Sequence, residues 1–476
     1  MKIQNPHVFK EYDIRGVVES DLPSEFVIAL GRGFAKYVSQ KDGKKSPRLA
    51  VGRDIRLSSP RLFENIVSGL IESGVEVLDL GVCPTPLVYY SLFHLPVDGA
   101  VMITGSHNPK EFNGFKLCHK KTTLFGEQIQ EIRKIVEKED FISGKGTLDK
   151  YDILSAYIKY QFQRHGSLKK GKRSLSVVID AGNGTASLVA PELFRGLGCR
   201  VIELFCTVDG NFPNHHPDPT IPKNLEKLIE KVREEKADLG VAFDGDSDRL
   251  GVVDEAGKIL WGDEIMVLLA RDILSRHPGC SIIGEVKCSQ RMYDSIKKAG
   301  GNGIMWKTGH SLIKNKMKEE KALLAGEMSG HLFFAEDFFG FDDAIHAALE
   351  VLRILSEHFE KGGNGLSELL KDLPKTIATP EIRIDCPDPA KFRVVSKVTE
   401  IIRNHKNDRK EPLVTDLLDI DGVRAIFEHG WGLVRASNTQ PILVSRFEAE
   451  NEKLLAIYKE FFEKIIDEVK KEDSLG

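Results

Sequence analysis

The acidic loop DGDSDR at residues 244–249 contains the residue types best suited to bind a metal ion. Its three aspartates alternate directly after the apolar run LGVAF, so their carboxylates can surround one hard divalent ion. An EF-hand calcium loop is a poorer match. Although Glu255 occupies the twelfth position, Arg249 stands where the sharp turn of that loop needs glycine. Three carboxylates leave room for an outside oxygen, which suits a catalytic ion, and a solvated acidic turn is the alternative.

A serine stands at the tip of the turn ITGSHNP, residues 103–109, directly after the apolar run GAVM. Ser106 is either a turn-forming residue or a nucleophile. A hydrolase triad is disfavoured, because His107 is the adjacent residue and an imidazole seldom serves its neighbour. A G-x-S-x-G elbow is absent, since Gly105 directly precedes the serine. Together with a metal loop and basic surroundings, this hydroxyl favours phosphoryl transfer over acyl transfer.

Two more polar loops contain groups that suit phosphate or sugar. RASNTQP, residues 435–441, lies between the apolar runs WGLV and PILV. It offers an arginine fork, short polar side chains and turn amides to a phosphate dianion, with a plain hairpin loop as the alternative. EMSGH, residues 327–331, offers a carboxylate and a hydroxyl that can bind vicinal sugar hydroxyls, which is a weak signal alone.

A repeated pattern of strand, helix and strand positions these loops. The copies run from RLAV to VEVLDLG, from SVVID to CRVIELF and from SIIGEV to GIMW. Each copy predicts a parallel βαβ unit with a right-handed crossover. Apolar segments then lead into the polar loops, in GAVMITGSHNP, ADLGVAFDGDSDR and ALLAGEMSGH. We therefore predict three copies of one domain plan, whose loops at the carboxyl ends of strands face one cleft.

The segment after residue 365 departs from this pattern and predicts a small α+β domain. Its closing helix has an apolar stripe that would cover the sheet, formed by Leu454, Tyr458, Phe461, Ile465 and Val469. The predicted fold class is α/β, with three related α/β domains with mixed parallel sheets and a C-terminal α+β domain around a central cleft. The predicted domains are residues 1–150, 151–254, 255–365 and 366–476, and the glycine-rich KGGNG marks the last boundary.

Composition disfavours several classes of protein. The chain has 476 residues, of which 41% are hydrophobic and 29% charged, and 67 basic side chains nearly balance 71 acidic ones. The formal net charge of -4 gives no reason to predict a nucleic-acid or membrane partner. Scattered cysteines without CxxC pairs, an N-terminus unlike a signal sequence and no apolar run of membrane length predict a cytoplasmic protein. We expect a monomer or a weak dimer.

In this order, the loops resemble those of the α-D-phosphohexomutase superfamily, and specifically of its bacterial bifunctional phosphomannomutase/phosphoglucomutase group. The resemblance covers essentially the whole chain, through EYDIRG, TGSHNP, GNFPNHHPDP, DGDSDR, WKTGHSLIK, GEMSGH and RASNT. It implies four domains around a deep cleft and an isomerase that interconverts hexose 1-phosphate and hexose 6-phosphate. It also implies an active-site phosphoserine, one Mg²⁺ ion per site and a hexose 1,6-bisphosphate as intermediate and activator.

The resemblance also implies a role for each matching residue. The implied ligands of Mg²⁺ are the phosphoserine Ser106 and the aspartates Asp244, Asp246 and Asp248. Arg249 is similar to the residue that stabilises charge near the transferred phosphoryl group, Lys116 is similar to the proposed general acid/base, and His107 has a supporting role. The implied readers of sugar hydroxyls are Glu327 and Ser329. The implied phosphate clamp is Arg435, Ser437, Asn438 and Thr439, and further ligand-contacting positions are Tyr12, Arg15, Lys287 and His310.

One departure from the family pattern concerns Ser247, which stands where the family often has glycine, as DGDGDR. If its φ is positive, a side chain there costs on the order of 1 kcal/mol. GEMSGH, in place of the GEQSGH of phosphoglucosamine mutases, points to a glucose or mannose phosphate as the substrate. The alternatives are a phosphoglucosamine mutase, a metal-dependent sugar phosphatase with Asp244 as nucleophile, and a non-catalytic phosphosugar sensor.

Overall fold

The structure is a computed structural model that describes residues 6–171, 173–438 and 440–474. Four β-sheets follow one another along these residues, and helices pack against each of them. Short 3₁₀ helices are Pro6–Val8, Gly166–Lys170, Thr185–Leu188, Pro222–Leu225 and Ser367–Leu370. None of the helices in the described ranges combines the length and apolar character of a membrane span.

The first sheet has 7 strands in the order β1-β5-β4-β2-β3-β7, with β6 paired to β5. Its strands are β1 (Ile14–Val17), β2 (Arg48–Arg53), β3 (Glu76–Val82), β4 (Gly99–Ile103), β5 (Phe112–His119), β6 (Thr122–Thr123) and β7 (Thr147–Lys150). The helices of this region are α1 (Val18–Asp21), α2 (Ser24–Asp42), α3 (Ser59–Glu72), α4 (Thr85–His94) and α5 (Glu127–Lys138). The strands β4, β2, β3 and β7 run parallel, whereas β5 is antiparallel to β4 and β1.

The second and third sheets repeat the same plan with fewer strands. The second has the order β12-β11-β10-β8-β9, with strands β8 (Ser176–Asp180), β9 (Arg200–Leu204), β10 (Leu239–Phe243), β11 (Leu250–Asp254) and β12 (Ile259–Leu260). Its helices are α6 (Ile153–His165), α7 (Ala190–Gly196) and α8 (Glu226–Glu235). The third has the order β14-β13-β15-β16, with strands β13 (Ser281–Glu285), β14 (Asn302–Trp306), β15 (Leu324–Gly326) and β16 (Leu332–Phe334). Its helices are α9 (Gly262–Arg276), α10 (Gln290–Lys298), α11 (His310–Glu320) and α12 (Ala344–Glu360).

The fourth sheet is antiparallel throughout the residues described. Its strands are β17 (Ile377–Ala378), β18 (Ile382–Asp385), β19 (Val414–Leu418), β20 (Val423–Phe427), β21 (Gly430–Ala436) and β22 (Ile442–Ala449). Two helices cover it, α13 (Asp388–Asp408) and α14 (Glu452–Ser474). In the predicted stripe of α14, Tyr458, Ile465 and Val469 are buried, and the other two side chains pack partly buried beside them.

The first three sheets share one arrangement, which confirms the predicted fold class of three related α/β domains and a C-terminal α+β domain. Each has a parallel trio of strands, β4-β2-β3, β10-β8-β9 and β15-β13-β14. In each trio, the strand named first is followed in the chain by a turn and an antiparallel neighbour, which is β5, β11 or β16. The strands that precede these turns are completely buried, as expected for GAVMI and LGVAF between two layers of helices. The three polar loops therefore occupy equivalent positions in three copies of one fold.

Two segments lie across predicted domain boundaries. β12 pairs with β11, so the second sheet continues beyond residue 254. The 3₁₀ helix Ser367–Leu370 packs against α9, where Arg271 donates a hydrogen bond to the carbonyl oxygen of Leu369 (2.9 Å). The packing of the third domain therefore continues beyond residue 365.

One hydrophobic core runs through the first three domains. The rings of Tyr90 in α4 and Tyr157 in α6 are 5.6 Å apart, and the rings of Phe93 in α4 and Phe341 before α12 are 5.8 Å apart. Such shared burial joins the three domains into one packed unit and fixes their loops relative to one another. The fourth domain has a separate core between its sheet and its two helices.

Candidate active site

Ser106 begins the turn after β4 and faces the acidic loop of the second domain. Its φ of 47° lies in the left-handed region, which is uncommon for serine and is typical of strained functional turns. Its backbone N–H donates a hydrogen bond to Thr104 Oγ1 (2.8 Å), and its hydroxyl donates to Asp244 Oδ2 (3.0 Å). The side chain is buried, so the hydroxyl points into the protein rather than into bulk water.

His107 reaches the hydroxyl of its neighbour, contrary to the prediction from adjacency. Its Nδ1 lies 3.2 Å from Ser106 Oγ. The left-handed backbone at Ser106 bends the chain so that two consecutive side chains approach each other. Burial, and then the charges of Arg249 and Arg15, hold the pKa of His107 well below its ordinary value, so the ring is neutral near pH 7.

The buried guanidinium of Arg56 holds the serine loop in place. It donates hydrogen bonds to the carbonyl oxygens of Ser106 (2.8 Å), Asn108 (2.6 Å), Pro109 (2.6 Å) and Phe112 (2.9 Å). Its Nε lies 3.3 Å from Asp54 Oδ2, which also accepts a hydrogen bond from the backbone N–H of Gly105 (3.0 Å). Arg56 was not among the predicted site residues, because nothing in its local motif shows that its partners are carbonyl oxygens of a distant loop.

Arg56→Met is expected to lower the free energy of unfolding by about 3–5 kcal/mol, because it leaves Asp54 as a buried charge without its cation. Four loop carbonyl oxygens also lose their donor. Urea denaturation measures this change. Arg53→Met is the matched control, since its partly exposed pair with Asp79 (3.0 Å) is worth about 1 kcal/mol or less. Equal small losses in both variants would contradict the role of Arg56.

The three aspartates of the acidic loop form a buried cluster. Asp244, Asp246 and Asp248 each place one oxygen within 4.8 Å of the others. Asp246 Oδ1 is buried and has no hydrogen-bond partner among the described residues. The loop also touches the serine turn closely, since a Cβ on Gly245 would lie 2.6 Å from the carbonyl oxygen of Ser106. Hard oxygen donors, including one without a partner, fit a divalent cation such as Mg²⁺.

The carboxylates of this cluster act on one another and on Lys116. Burial, and then the charges of Asp248 and Asp246, raise the pKa of Asp244 well above its ordinary value. Lys116 of β5 donates hydrogen bonds to Asp246 Oδ2 (2.8 Å) and to Asp248 Oδ2. Burial by itself lowers the pKa of Lys116, but the charges of these two aspartates outweigh burial and raise it above its ordinary value. Lys116 thus contacts two of the three carboxylates and leaves Asp246 Oδ1 as a buried oxygen that could accept a further cation.

Ser247 has a φ of 64°, the left-handed conformation that the glycine of the family pattern would adopt without strain. Its hydroxyl lies 2.9 Å from the hydroxyl of Thr185, within hydrogen-bond distance. This contact offsets part of a strain on the order of 1 kcal/mol. The departure from the family glycine is therefore accommodated by a hydrogen-bonded loop.

His331 joins the acidic loop to the loop EMSGH. Its Nε2 lies 3.1 Å from Asp248 Oδ1, and its Nδ1 lies 2.6 Å from Glu327 Oε2. Burial lowers the pKa of His331, but Asp248 and Glu327 outweigh burial and raise it to about 9. Arg249 lies beside the same ring, with Nε 3.3 Å from Nε2. His331 was not predicted to have a role, but it is the last residue of GEMSGH, so the motif itself contained the signal.

Glu327 is buried at the start of the loop EMSGH. Its Oε1 accepts a hydrogen bond from the backbone N–H of Gly309 (2.7 Å), and its Oε2 accepts one from the hydroxyl of Ser329 (3.3 Å). His310, which follows Gly309 in the chain, places its ring 5.8 Å from the ring of Tyr12 and 5.9 Å from that of His331. These contacts bring the predicted sugar-binding residues beside the acidic loop.

The predicted phosphate clamp contacts the first and third domains. Arg435, at the end of β21, donates a hydrogen bond from Nε to Asp421 Oδ2 (2.8 Å), which also accepts the backbone N–H of Thr308 (3.1 Å). Tyr12 donates to the carbonyl oxygen of Thr308 (2.9 Å), and the side-chain amide of Asn438 donates to the Tyr12 hydroxyl. The predicted clamp residues therefore contact residues of the first and third domains.

The turn that follows Arg435 is short and internally bonded. The backbone N–H of Ser437 donates to the carbonyl oxygen of Ile442 (3.0 Å), and its Oγ accepts from the backbone N–H of Gln440 (3.1 Å). Thr439, the last predicted clamp residue, lies outside the described residues. The described part of RASNTQP therefore places its polar groups in one turn.

The two remaining predicted residues, Lys287 and Arg15, make ion pairs at the edges of the site. Lys287 follows β13 and pairs with Glu381 of the fourth domain, with Glu285 Oε1 at 3.6 Å from its Nζ. Arg15 pairs with Asp13 (2.7 Å) and donates to the carbonyl oxygen of Gly105 in the serine loop (3.0 Å). Every predicted site residue that the structure describes thus lies in one connected region formed by all four domains.

The chain matches four sequence families in order along its length. They are described as Phosphoglucomutase/phosphomannomutase alpha/beta/alpha domain I at residues 6–143, domain II at residues 155–257, domain III at residues 261–377, and the C-terminal domain at residues 381–465. These matches together span well over half of the chain.

Full-length relatives and a solved structure agree with these matches. A Phosphomannomutase/phosphoglucomutase of Pseudomonas putida is 47% identical over 455 residues, which are 96% of this chain and 94% of the relative. A Phosphoglucomutase of Neisseria gonorrhoeae is 44% identical over 462 residues, 97% and 96% of the two chains. The crystal structure of a phosphoglucomutase/phosphomannomutase family protein from Burkholderia thailandensis superposes with a TM-score of 0.87 at 39% identity and covers 98% of each chain. With this architecture and these matches along its whole length, the chain belongs to the phosphoglucomutase/phosphomannomutase family of the α-D-phosphohexomutase superfamily.

Proposed function

We propose that this protein is a phosphohexomutase that interconverts the 1-phosphates and 6-phosphates of mannose, glucose or both, using a phosphate carried on Ser106. The observation that carries this proposal is the hydrogen bond from Ser106 Oγ to Asp244 Oδ2 (3.0 Å), which places the hydroxyl at a buried cluster of three carboxylates. Relatives named phosphomannomutase/phosphoglucomutase at 47% identity support the assignment to this class of isomerase.

The proposed reaction consists of two phosphoryl transfers. A free hydroxyl of the hexose monophosphate attacks the phosphorus on Ser106, the bond from phosphorus to Ser106 Oγ breaks, and a hexose 1,6-bisphosphate forms. The hydroxyl proton ends on Ser106 Oγ, with Lys116 Nζ as the proposed relay. The bisphosphate then turns around, and its other phosphate returns to the serine. A covalent phosphoenzyme divides one difficult rearrangement into two transfers that the same groups can catalyse.

The acidic loop suits the charge that this reaction develops. Asp244, Asp246 and Asp248, together with the phosphate on Ser106, would hold one Mg²⁺ ion. When bound, Mg²⁺ neutralises negative charge on the phosphoryl oxygens during transfer. Arg249 lies against the same loop and would stabilise the transferred group from the protein side. His107 contacts Ser106 Oγ and would keep the hydroxyl oriented while it is not phosphorylated.

The other loops would hold the two ends of the sugar phosphate. Glu327 and Ser329 would bind sugar hydroxyls, and the clamp of Arg435, Ser437, Asn438 and Thr439 would bind the phosphate that is not transferred. Tyr12, Arg15, Lys287 and His310 would contact the ligand beside these groups. The substrate must bind in both orientations, so the clamp must recognise a phosphate dianion by charge and fork geometry alone. Closure of the fourth domain on the substrate would exclude water from the phosphoserine.

The remaining expectations concern partners and location. We propose a phosphosugar as the small-molecule partner, no nucleic-acid or membrane partner, and a monomer or weak dimer in a cytoplasmic setting. The near-balanced charge supports these expectations, as does the finding that none of the 7 cysteines, all of which the structure describes, forms a disulfide bond. Sedimentation analysis at several protein concentrations would test the oligomeric state.

A coupled assay with Mg²⁺ and trace hexose 1,6-bisphosphate tests the function. Mannose 1-phosphate and glucose 1-phosphate are the expected substrates, and glucosamine 1-phosphate should give a much lower kcat/KM. Preference for glucosamine 1-phosphate would instead identify a phosphoglucosamine mutase. Release of inorganic phosphate with labelling of an aspartate would identify a phosphatase, and binding without turnover would identify a phosphosugar sensor.

Arg435→Ala is expected to raise KM for hexose phosphates by about tenfold or more, because the clamp loses its charged fork. Slow hydrolysis of the phosphoserine should change little, since the clamp holds the other phosphate. Steady-state kinetics with either monophosphate measure the effect. Arg403→Ala is the matched control, because this exposed arginine of the same domain pairs only on the surface, with Asp419 (2.8 Å). An unchanged KM in Arg435→Ala would contradict the clamp.

A further inference from the structure

The ammonium group of Lys116 is bound to two of the carboxylates that the proposed metal ion requires. Its Nζ donates hydrogen bonds to Asp246 Oδ2 (2.8 Å) and to Asp248 Oδ2. Both aspartates belong to the proposed Mg²⁺ site. A dication and an ammonium bound to the same two carboxylates repel each other strongly in a buried setting. Lys116 therefore needs a different acceptor whenever the metal ion is bound.

Asp342 offers an acceptor of the right kind at the right place. This completely buried residue follows β16, and one of its oxygens lies within 4.8 Å of an oxygen of Asp248 and a ring nitrogen of His331. Its Oδ1 accepts a hydrogen bond from Lys314 Nζ (3.0 Å). Its Oδ2 is buried without a hydrogen-bond partner in the part of the chain that the structure describes. Asp342 is also close enough to act electrostatically on Lys116.

Among the described residues, Oδ1 of Asp342 has a hydrogen-bond donor and Oδ2 has none, so Oδ2 can accept a donor that moves into reach. Lys314 is held in place, because its Nζ also lies 4.2 Å from the centre of the Tyr89 ring. Oδ1 of Asp342 therefore already has a firmly held cationic donor. A buried carboxylate oxygen without a partner is costly, so the other oxygen has a strong tendency to accept a donor. Lys116 has the long, flexible stem needed to move between neighbouring carboxylates.

We propose that Asp342 is a positioning residue for Lys116, which it receives when Mg²⁺ binds to the three aspartates. Lys116 keeps its proton and exchanges one set of carboxylate partners for another, so no covalent bond changes in this step. The exchange removes the ammonium from Asp246 and Asp248, two of the proposed metal ligands, and pairs it with Asp342, which lies beside Asp248. This inference rests on the proposed function, whose metal site and proton relay it connects.

Asp342→Asn tests the inference with little change of shape. The asparagine keeps an oxygen for Lys314 but replaces the unpartnered oxygen by an NH₂ group, which cannot accept the ammonium. Mg²⁺ affinity of the purified full-length protein, measured by titration calorimetry, should fall about tenfold, because Lys116 then competes with the ion without an alternative partner. kcat should fall by a similar factor while KM stays nearly unchanged.

Asp343→Asn is the matched control at the neighbouring position. Asp343 is equally buried, but it accepts hydrogen bonds from the Tyr157 hydroxyl (2.7 Å) and the backbone N–H of His346 (2.9 Å), away from Lys116. This variant should bind Mg²⁺ with wild-type affinity. An equal loss of affinity in both variants would show a general structural effect and would overturn the inference.

Removing Lys116 gives the decisive comparison. Lys116→Met should bind Mg²⁺ several-fold more tightly than the wild type, because the competing cation is gone, and Asp342→Asn should have no further effect in that background. The inference is overturned if Asp342→Asn still weakens Mg²⁺ binding in the Lys116→Met background. It is also overturned if Asp342→Asn leaves Mg²⁺ binding unchanged when Lys116 is present. If Asp244→Asn abolishes Mg²⁺ binding but Asp342→Asn leaves it unchanged, only the role of Asp342 fails. Wild-type protein that binds no Mg²⁺ contradicts the proposed metal site itself.

Discussion

Ser106→Ala is expected to lower kcat for hexose phosphate isomerisation by about 10³-fold or more, because alanine has no oxygen to carry the phosphoryl group. The variant should accept no phosphate from hexose 1,6-bisphosphate. Wild-type protein treated in the same way should carry one phosphate on the peptide that contains Ser106, as measured by mass spectrometry. Full activity in the variant, or phosphate found on another residue, would refute the assignment of the nucleophile.

The fold should survive this substitution. The Ser106 hydroxyl makes one side-chain hydrogen bond to Asp244 and one contact to His107, so the free energy of unfolding should change by about 1 kcal/mol. Ser91→Ala is the matched control, because this buried serine of α4 donates to the carbonyl oxygen of Val88 (2.6 Å), away from the site. It should show a similar change in stability with full activity.

Asp244→Asn is expected to lower kcat by about 10²-fold or more and to abolish Mg²⁺ binding, because it removes one charge from the ligand set. The amide oxygen can still accept the backbone N–H of Asp248 (3.0 Å), which keeps the loop in shape. The loss is therefore assigned to charge rather than to folding. Kinetics across a Mg²⁺ series, with calorimetry in parallel, measure both effects.

Asp254→Asn provides the comparison for this prediction. Asp254 is buried in the same domain, but its carboxylate accepts the backbone N–H groups of Ala256 (3.0 Å) and Lys258 (2.8 Å) in a turn outside the acidic loop. It should leave Mg²⁺ binding and kcat close to wild type. Wild-type kcat in Asp244→Asn would show that the acidic loop is a structural turn.

The three-copy architecture could be predicted because it depends on local patterns. A run such as GAVMI or SVVID predicts a buried strand wherever it occurs, and a helix stripe that ends at glycine predicts where the chain turns back. Repetition of the unit then places each polar loop at the same end of a sheet. The acidic loop and the serine turn were found in this way, since each contains its reactive groups within a few residues.

The approximate domain boundaries show where local patterns are insufficient. β12 belongs to the second sheet because it pairs with β11, and the 3₁₀ helix Ser367–Leu370 packs on the third domain. Short segments of this kind have little pattern of their own. Their membership of a domain depends on which neighbour offers the larger buried surface, which only the assembled structure shows.

The fold class, the order of the loops and the residue types that suit phosphoryl transfer could be predicted from the sequence, because each depends on residues close together in the chain. The folded structure was needed to show that Arg56 supports the serine loop, that His107 reaches the hydroxyl beside it, and that His331 and Asp342 stand at the acidic cluster. These contacts join residues that are far apart in the chain or depend on one unusual backbone angle. Hydrogen bonds and charges act over a few ångströms in space, whatever the separation along the chain.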